Sequence, residues 1–74
     1  MQILASPQDF GAFLRTRRKA LGYSQASLAA LCNTGTRFIS DMENGKETIE
    51  LGKSLRVAQA LGIDLVAHIR GEQS

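Results

Sequence analysis

Residues 24–45 read SQASLAALCNTGTRFISDMENG, and the spacing within this stretch predicts two short helices joined by a tight turn. Ser24 is a hydroxyl N-cap, and Gln25 opens a helix that ends near Asn33. Leu28, Leu31 and Cys32 fall on its inner side, while Ala26, Ala29 and Ala30 keep it slim. Thr34 and Gly35 turn the chain. A second helix then runs from Thr36 to Asn44 with Ile39 and Met42 pointing inward, and Gly45 closes it.

Working outward, Met1 to Ala5 is a short, mostly apolar lead. Ser6-Pro7-Gln8-Asp9 combines a hydroxyl cap, a first-turn proline and a first-turn acid. The helix it opens carries Phe10, Phe13, Leu14 and Leu21 at helical spacing and extends from about Pro7 to Leu21, with Gly22 as its C-cap. On the other side, Lys46 to Glu50 is a loop. A further helix spans about Leu51 to Leu61, with Leu51, Leu55, Ala58 and Leu61 on one face, and Gly62 ends it. From Ile63 the period changes to two: Ile63, Leu65, Ala67 and Ile69 alternate with Asp64, Val66, His68 and Arg70. That is a strand pattern over about residues 63–70, and a lone strand needs a partner. Gly71 to Ser74 is a short tail.

With 74 residues the chain holds one domain (residues 1–74) and a thin core, which oligomerisation commonly supplements. Cys32 is the only cysteine, so no disulfide forms within the chain, and with His68 as the only other soft ligand no zinc site is expected. The single cysteine and the lack of a signal-like or long apolar stretch fit a reducing cytoplasm, with no membrane span expected. The net charge of +2 is unevenly placed. Up to Lys46, Arg15, Arg17, Arg18, Lys19, Arg37 and Lys46 outnumber Asp9, Asp41 and Glu43; from Glu47 onward acids slightly exceed bases. A polyanion on one side of the molecule suits that asymmetry.

Two short helices with a tight turn, the second polar on its leading face, form the helix-turn-helix arrangement (residues 24–45), in which the first helix crosses the phosphate backbone and the second enters the major groove. The outer positions of the second helix are Thr36, Arg37, Ser40 and Asp41. Arginine spans guanine O6 and N7, threonine and serine reach bases or phosphate, and aspartate accepts from cytosine N4. For Asp41 two readings stand side by side: contact with a base, or an i,i+4 pair with Arg37. Gln25, Asn44 and Lys46 flank the same surface at positions suited to phosphate contacts. Phe38 is expected at the domain edge, Cys32 in the core, and His68 on the polar side of the strand. Ser6 and Ser24 are caps rather than nucleophiles, because no histidine or lysine stands ready to activate them. No phosphate-binding or dinucleotide motif is present, so neither an enzyme nor a cofactor is expected.

Arg18-x-x-x-Gly22-Tyr23-Ser24-Gln25-x-x-Leu28-Ala29, followed by Gly35 through Lys46, resembles the Cro/CI (Xre) family of repressors. The Ser6-Pro7 start, the Thr36-Arg37-Phe38-Ile39 opening and the stretch from Leu51 to Gly62 are similar to its HipB-type antitoxin branch. Phe38 and Asp41 depart from the wider repressor pattern. The resemblance implies an all-α, lambda-repressor-like fold of four to five short helices plus one C-terminal strand that pairs across a dimer through Leu65, Val66, Ala67, His68 and Ile69. It implies a homodimeric, cytoplasmic, nucleoid-associated repressor on a pseudo-palindromic double-stranded operator, controlling its own operon and binding a HipA-like kinase toxin. It also implies that Gln25 and Asn44 contact phosphate, that Thr36, Arg37, Ser40 and Asp41 face bases, and that Arg18 and Glu43 form a structural ion pair. The competing expectations are a free-standing Xre-type or phage repressor without a toxin, and a protein-interaction module that keeps the fold.

Overall fold

The computed structural model describes residues 2–72, so Met1 of the lead and Gln73 and Ser74 of the tail lie outside the described residues. Its first helix, α1 (Pro7–Ala20), starts behind a reciprocal cap. The Asp9 amide donates to Ser6 Oγ at 3.0 Å, and the Ala5 amide donates to Asp9 Oδ2 at 3.1 Å. The second, α2 (Gln25–Leu31), starts from a capping box in which Ser24 and Ser27 exchange backbone-to-hydroxyl bonds, both at 2.9 Å. The third is α3 (Thr36–Glu43) and the fourth α4 (Leu51–Ala60).

The helices end alike. After α3, the Gly45 amide bonds to Met42 O at 3.1 Å and the Lys46 amide to Asp41 O at 3.0 Å, with Gly45 at φ +80°. This paired closure satisfies carbonyls that the helix leaves open. The same pair of bonds follows α2, but there the left-handed residue is Asn33 at φ 55°. The turn that the sequence assigns to Thr34 and Gly35 therefore pivots one step earlier. Asparagine tolerates this conformation better than other side-chain-bearing residues, and Gly35 instead serves as the extended N-cap of α3.

Leu14 of α1, Leu28 and Ala29 of α2, Ile39 and Met42 of α3, and Val57, Ala58 and Leu61 at the α4 end make the buried core. Phe10, Phe13, Tyr23, Cys32, Phe38, Ile49 and Ile63 pack around it. α3 packs on both α1 and α2, and Gly11 lets α1 come against the last turn of α3, where its missing side chain leaves room for the carbonyls of Met42 and Glu43. Burial pushes the Cys32 thiol above its ordinary pKa, which keeps it neutral and poorly nucleophilic.

Three expectations change. Leu31 is 56% exposed, because the buried side of α2 is centred on Leu28, Ala29 and half-buried Gln25 and Cys32, and position 31 lies about a third of a turn away at 3.6 residues per turn. Leu51 is also exposed. The inward stripe of α4 is Ser54, Val57, Ala58 and Leu61, a spacing of three, four and seven, with Leu51 on its flank at the free end of the helix. Ser54 is buried at no polar cost because its hydroxyl donates to Glu50 O at 2.9 Å. Lastly, no strand is present among the described residues. Residues 63–69 run without regular structure after the end of α4, and Leu65, Val66 and Ile69 are exposed. A strand is stabilised by its ladder, and this single chain offers the segment no neighbouring strand to pair with.

Candidate nucleic-acid interface

The attitude of α3 is set from beneath by a buried polar fork. Arg18 of α1 donates from Nε to Glu43 Oε2 at 2.6 Å and from Nη2 to Glu43 Oε1 at 3.0 Å. Its Nη1 donates to the Tyr23 carbonyl at 2.8 Å, and Gln25 Nε2 donates to Glu43 Oε1 at 3.1 Å. The Glu43 carboxylate at the end of α3 thus gathers α1 and the first residue of α2, and Arg18 adds the approach to α2. Arg18 and Glu43 are 7% and 6% exposed, and no buried side-chain polar atom among the described residues lacks a partner. The hydrogen bond to Glu43 raises the Arg18 pKa, desolvation opposes it, and the carboxylate charge adds to it; the guanidinium stays charged throughout the range in which proteins fold. Paired and fully hydrogen-bonded, such a buried charge is held in one geometry.

With Ile39, Met42 and Glu43 turned inward, α3 presents Thr36, Arg37, Ser40, Asp41 and Asn44 on its other side. Thr36 and Asn44 are exposed, and Ser40 and Asp41 are half-buried. The Arg37 side chain is 91% exposed, and its Nε lies 3.6 Å from Asp41 Oδ1. Lys46 Nζ lies 3.7 Å from Asp41 Oδ2. Asn44 Nδ2 reaches Ser40 Oγ at 3.5 Å. Phe38 packs against the core, with Lys53 Nζ 5.5 Å from its ring centroid, a cation–π distance. Of the sequence-predicted positions, Arg37, Ser40, Asp41, Asn44 and Lys46 are linked by these contacts along one side of α3, with Thr36 exposed at its start, whereas Gln25 is tied to Glu43 on the inward side. The Tyr23 carbonyl, the tether on Gln25 and the role of Gly11 are not visible to sequence reasoning, although an isolated glycine inside the helical pattern of α1 is a signal of close approach.

A short helix packed on a second and tied to its last turn, with the second helix's outer face polar and carrying an exposed arginine, defines a helix-turn-helix domain of the kind that presents one helix to the DNA major groove. The helix-turn-helix family model HTH_3 matches residues 14–67, and the chain belongs to this family. A curated relative, the uncharacterized HTH-type transcriptional regulator y4mF of Sinorhizobium fredii (strain NBRC 101917 / NGR234), is 44% identical over 66 residues, which is 86% of this chain and 87% of that protein. Among solved structures, a HipB(S29A)-O2 20mer complex superposes with a TM-score of 0.86 at 23% identity, covering 95% of this chain and 97% of the other. A HipA-HipB-O2-O3 complex gives 0.87 at 21% identity, covering 95% and 99%. The fold is therefore that of HipB, and the protein is a helix-turn-helix transcriptional regulator, from a family of regulators rather than enzymes. No helix among the described residues is long and apolar enough to cross a membrane.

Proposed function

We propose that this chain is a dimeric, sequence-specific repressor that places α3 in the major groove of a pseudo-palindromic operator, and that it serves as a HipB-like antitoxin for a HipA-like kinase. The observation that carries the DNA reading is the outer face of α3, where Arg37, 91% exposed beside Asp41, projects from a helix fixed by the Arg18–Glu43 fork. Thr36, Arg37, Ser40 and Asp41 face the bases in this reading, and Gln25, Asn44 and Lys46 meet phosphates. The fold likeness to HipB, which is found in complexes with DNA and with HipA, supports the antitoxin part.

What the C-terminal segment leaves uncovered supports the dimer. Ile3, Leu4, Phe13, Ile63, Leu65 and Val66 line an open groove of about 820 Å³ between the N-terminal lead and residues 63–70. Exposed apolar side chains beside backbone outside any helix or strand are suited to accepting a strand. In this reading the 63–70 segment of each copy pairs with that of the other, through Leu65 to Ile69. Val66→Pro removes a ladder donor and is expected to shift sedimentation from dimer to monomer at micromolar concentration, while circular dichroism keeps the helical signal. A variant that still sediments as a dimer removes this segment from the interface.

Binding to duplexes from the protein's own promoter, followed by fluorescence anisotropy over a salt series, tests the DNA reading. Arg37→Ala is expected to cost about 1–3 kcal/mol on the preferred sequence and to relax selectivity, whereas Lys46→Ala weakens all duplexes alike and lowers the salt slope by about one. Equal selectivity after Arg37→Ala would take Arg37 out of base recognition. Isolation at native level, with the bound partners weighed, separates the remaining readings. A stoichiometric kinase together with promoter DNA supports the antitoxin, a homodimer with DNA alone leaves a repressor, and a partner without DNA leaves an interaction module.

A further inference from the structure

Asp41 is an unexpected residue to find on a face turned toward a polyanion, and its surroundings account for it. Its two carboxylate oxygens are shared between different cations: Oδ1 faces Arg37 Nε at 3.6 Å and Oδ2 faces Lys46 Nζ at 3.7 Å. The side chain is 29% exposed, against 91% for Arg37, so the guanidinium stands furthest out and the carboxylate sits behind it. The backbone reinforces the arrangement. The closure after α3 bonds the Lys46 amide to Asp41 O at 3.0 Å, which returns Lys46 to the same side of the helix.

We propose that Asp41 is a positioning residue for Arg37, restraining the guanidinium through its Nε so that both Nη groups face a guanine, and that Asp41 reads no base of its own. The inference rests on the reading that α3 enters the major groove. With Nε turned to the carboxylate, the two terminal nitrogens are the donors left to meet O6 and N7, the acceptor pair that arginine recognises. In solvent an exposed pair of this kind contributes little. Once docking excludes water the same charges interact more strongly, and an arginine already restrained loses less rotamer freedom on binding. The carboxylate also offsets part of the attraction between Lys46 and the phosphates it meets, so it lowers affinity for every duplex while sharpening preference for one. Asp41 is thereby a specificity device, trading general attraction for discrimination.

The experiment is a binding selection from a randomised duplex library, run on the full chain and on Arg37→Ala, Asp41→Ala, Asp41→Asn and the Arg37→Ala/Asp41→Ala double variant. Dissociation constants for the selected and a scrambled duplex are measured alongside, with melting temperatures. Arg37→Ala is expected to lose roughly tenfold or more of its preference at one base pair. Asp41→Ala should lose preference at that same pair, and the double variant should be no less selective than Arg37→Ala. Asp41→Asn should recover part of the preference, since its amide oxygen can accept from Nε once docking closes the 3.6 Å separation. Asp41→Ala should also bind the scrambled duplex more tightly than the parent, a gain that loss of folding cannot produce. Loss of preference at a different base pair, additive with Arg37→Ala, would overturn the proposal and make Asp41 a reader; unchanged preference would overturn it as well. A parent chain that selects no motif would overturn the major-groove reading and the proposal together, an outcome distinct from failure at Asp41 alone.

Discussion

Arg18→Ala is expected to destabilise the fold by about 3–5 kcal/mol, the range for removing one partner of a buried ion pair. Glu43 would keep only the Gln25 amide, at 3.1 Å, as a side-chain donor for a carboxylate that is 6% exposed. The Tyr23 carbonyl would lose its guanidinium donor. In a domain of this size each kcal/mol corresponds to about 4–8 °C in melting temperature, so the fall exceeds ~10 °C and is readily seen by circular dichroism. Affinity for the selected duplex, measured well below the new midpoint, should change less, because Arg18 lies beneath α3 and not on its outer face. Replacing both partners with apolar residues of similar volume, as in Arg18→Met with Glu43→Leu, should restore much of the stability, since the cost lies in the orphaned charge rather than in the missing attraction. Gln25 would then lose its Glu43 acceptor, so the double variant also reports whether that tether matters for DNA. An unchanged melting temperature in Arg18→Ala would mean that the fork is ornamental.

The features legible in the sequence are those whose physics is local. Ser6 and Ser24 cap helices, and Gly22, Gly45 and Gly62 follow helix ends at positive φ, because capping and left-handed closure need only a few neighbouring residues. The outward placement of Thr36, Arg37, Ser40 and Asp41 is legible for the same reason, once Ile39 and Met42 fix the inner side of α3. What escaped depends on partners distant in sequence. Leu31 and Leu51 carry the right chemistry for a core, yet the angular position of a stripe is settled by the helices it meets. The Asn33 pivot is the one local exception, because Gly35 two residues on has the greater conformational freedom for a turn. The alternation from Ile63 to Arg70 signals a strand, but the described residues contain no second strand for it to pair with. At the site, Gln25 reads from sequence as a phosphate contact, and the bond from its amide to a carboxylate eighteen positions away is what the sequence leaves out.

Gly11→Ala carries the second large effect, and its sign is diagnostic. On an exposed helical surface this change stabilises by up to about 1 kcal/mol, since alanine costs less backbone entropy than glycine. Here the added methyl would stand 2.7 Å from the Glu43 carbonyl oxygen and would also collide with that of Met42. Both obstacles are backbone, in the last turn of α3, so no side chain can rotate aside. To accept the methyl, α1 and α3 must separate, loosening the core around Leu14, Ile39 and Met42 and lengthening the 2.6 Å contact between Arg18 and Glu43. Overpacking of this kind costs about 1–3 kcal/mol, and more where backbone has to move. The helix-propensity gain offsets only part of that, so a net loss of about 2 kcal/mol is expected, visible as a lower urea midpoint with an unchanged slope. The displaced element is the one that carries Arg37, Asp41 and, just beyond it, Lys46, so Gly11→Ala should also weaken binding to the preferred duplex at temperatures where the variant remains folded. Gly22→Ala provides the contrast: its added methyl would meet nothing within 4 Å, but Gly22 sits at φ +81°, so its cost is backbone strain alone, which should lower stability without altering duplex preference. Were Gly11→Ala instead to stabilise the chain, the close approach of α1 to α3 could not be what sets the attitude of α3.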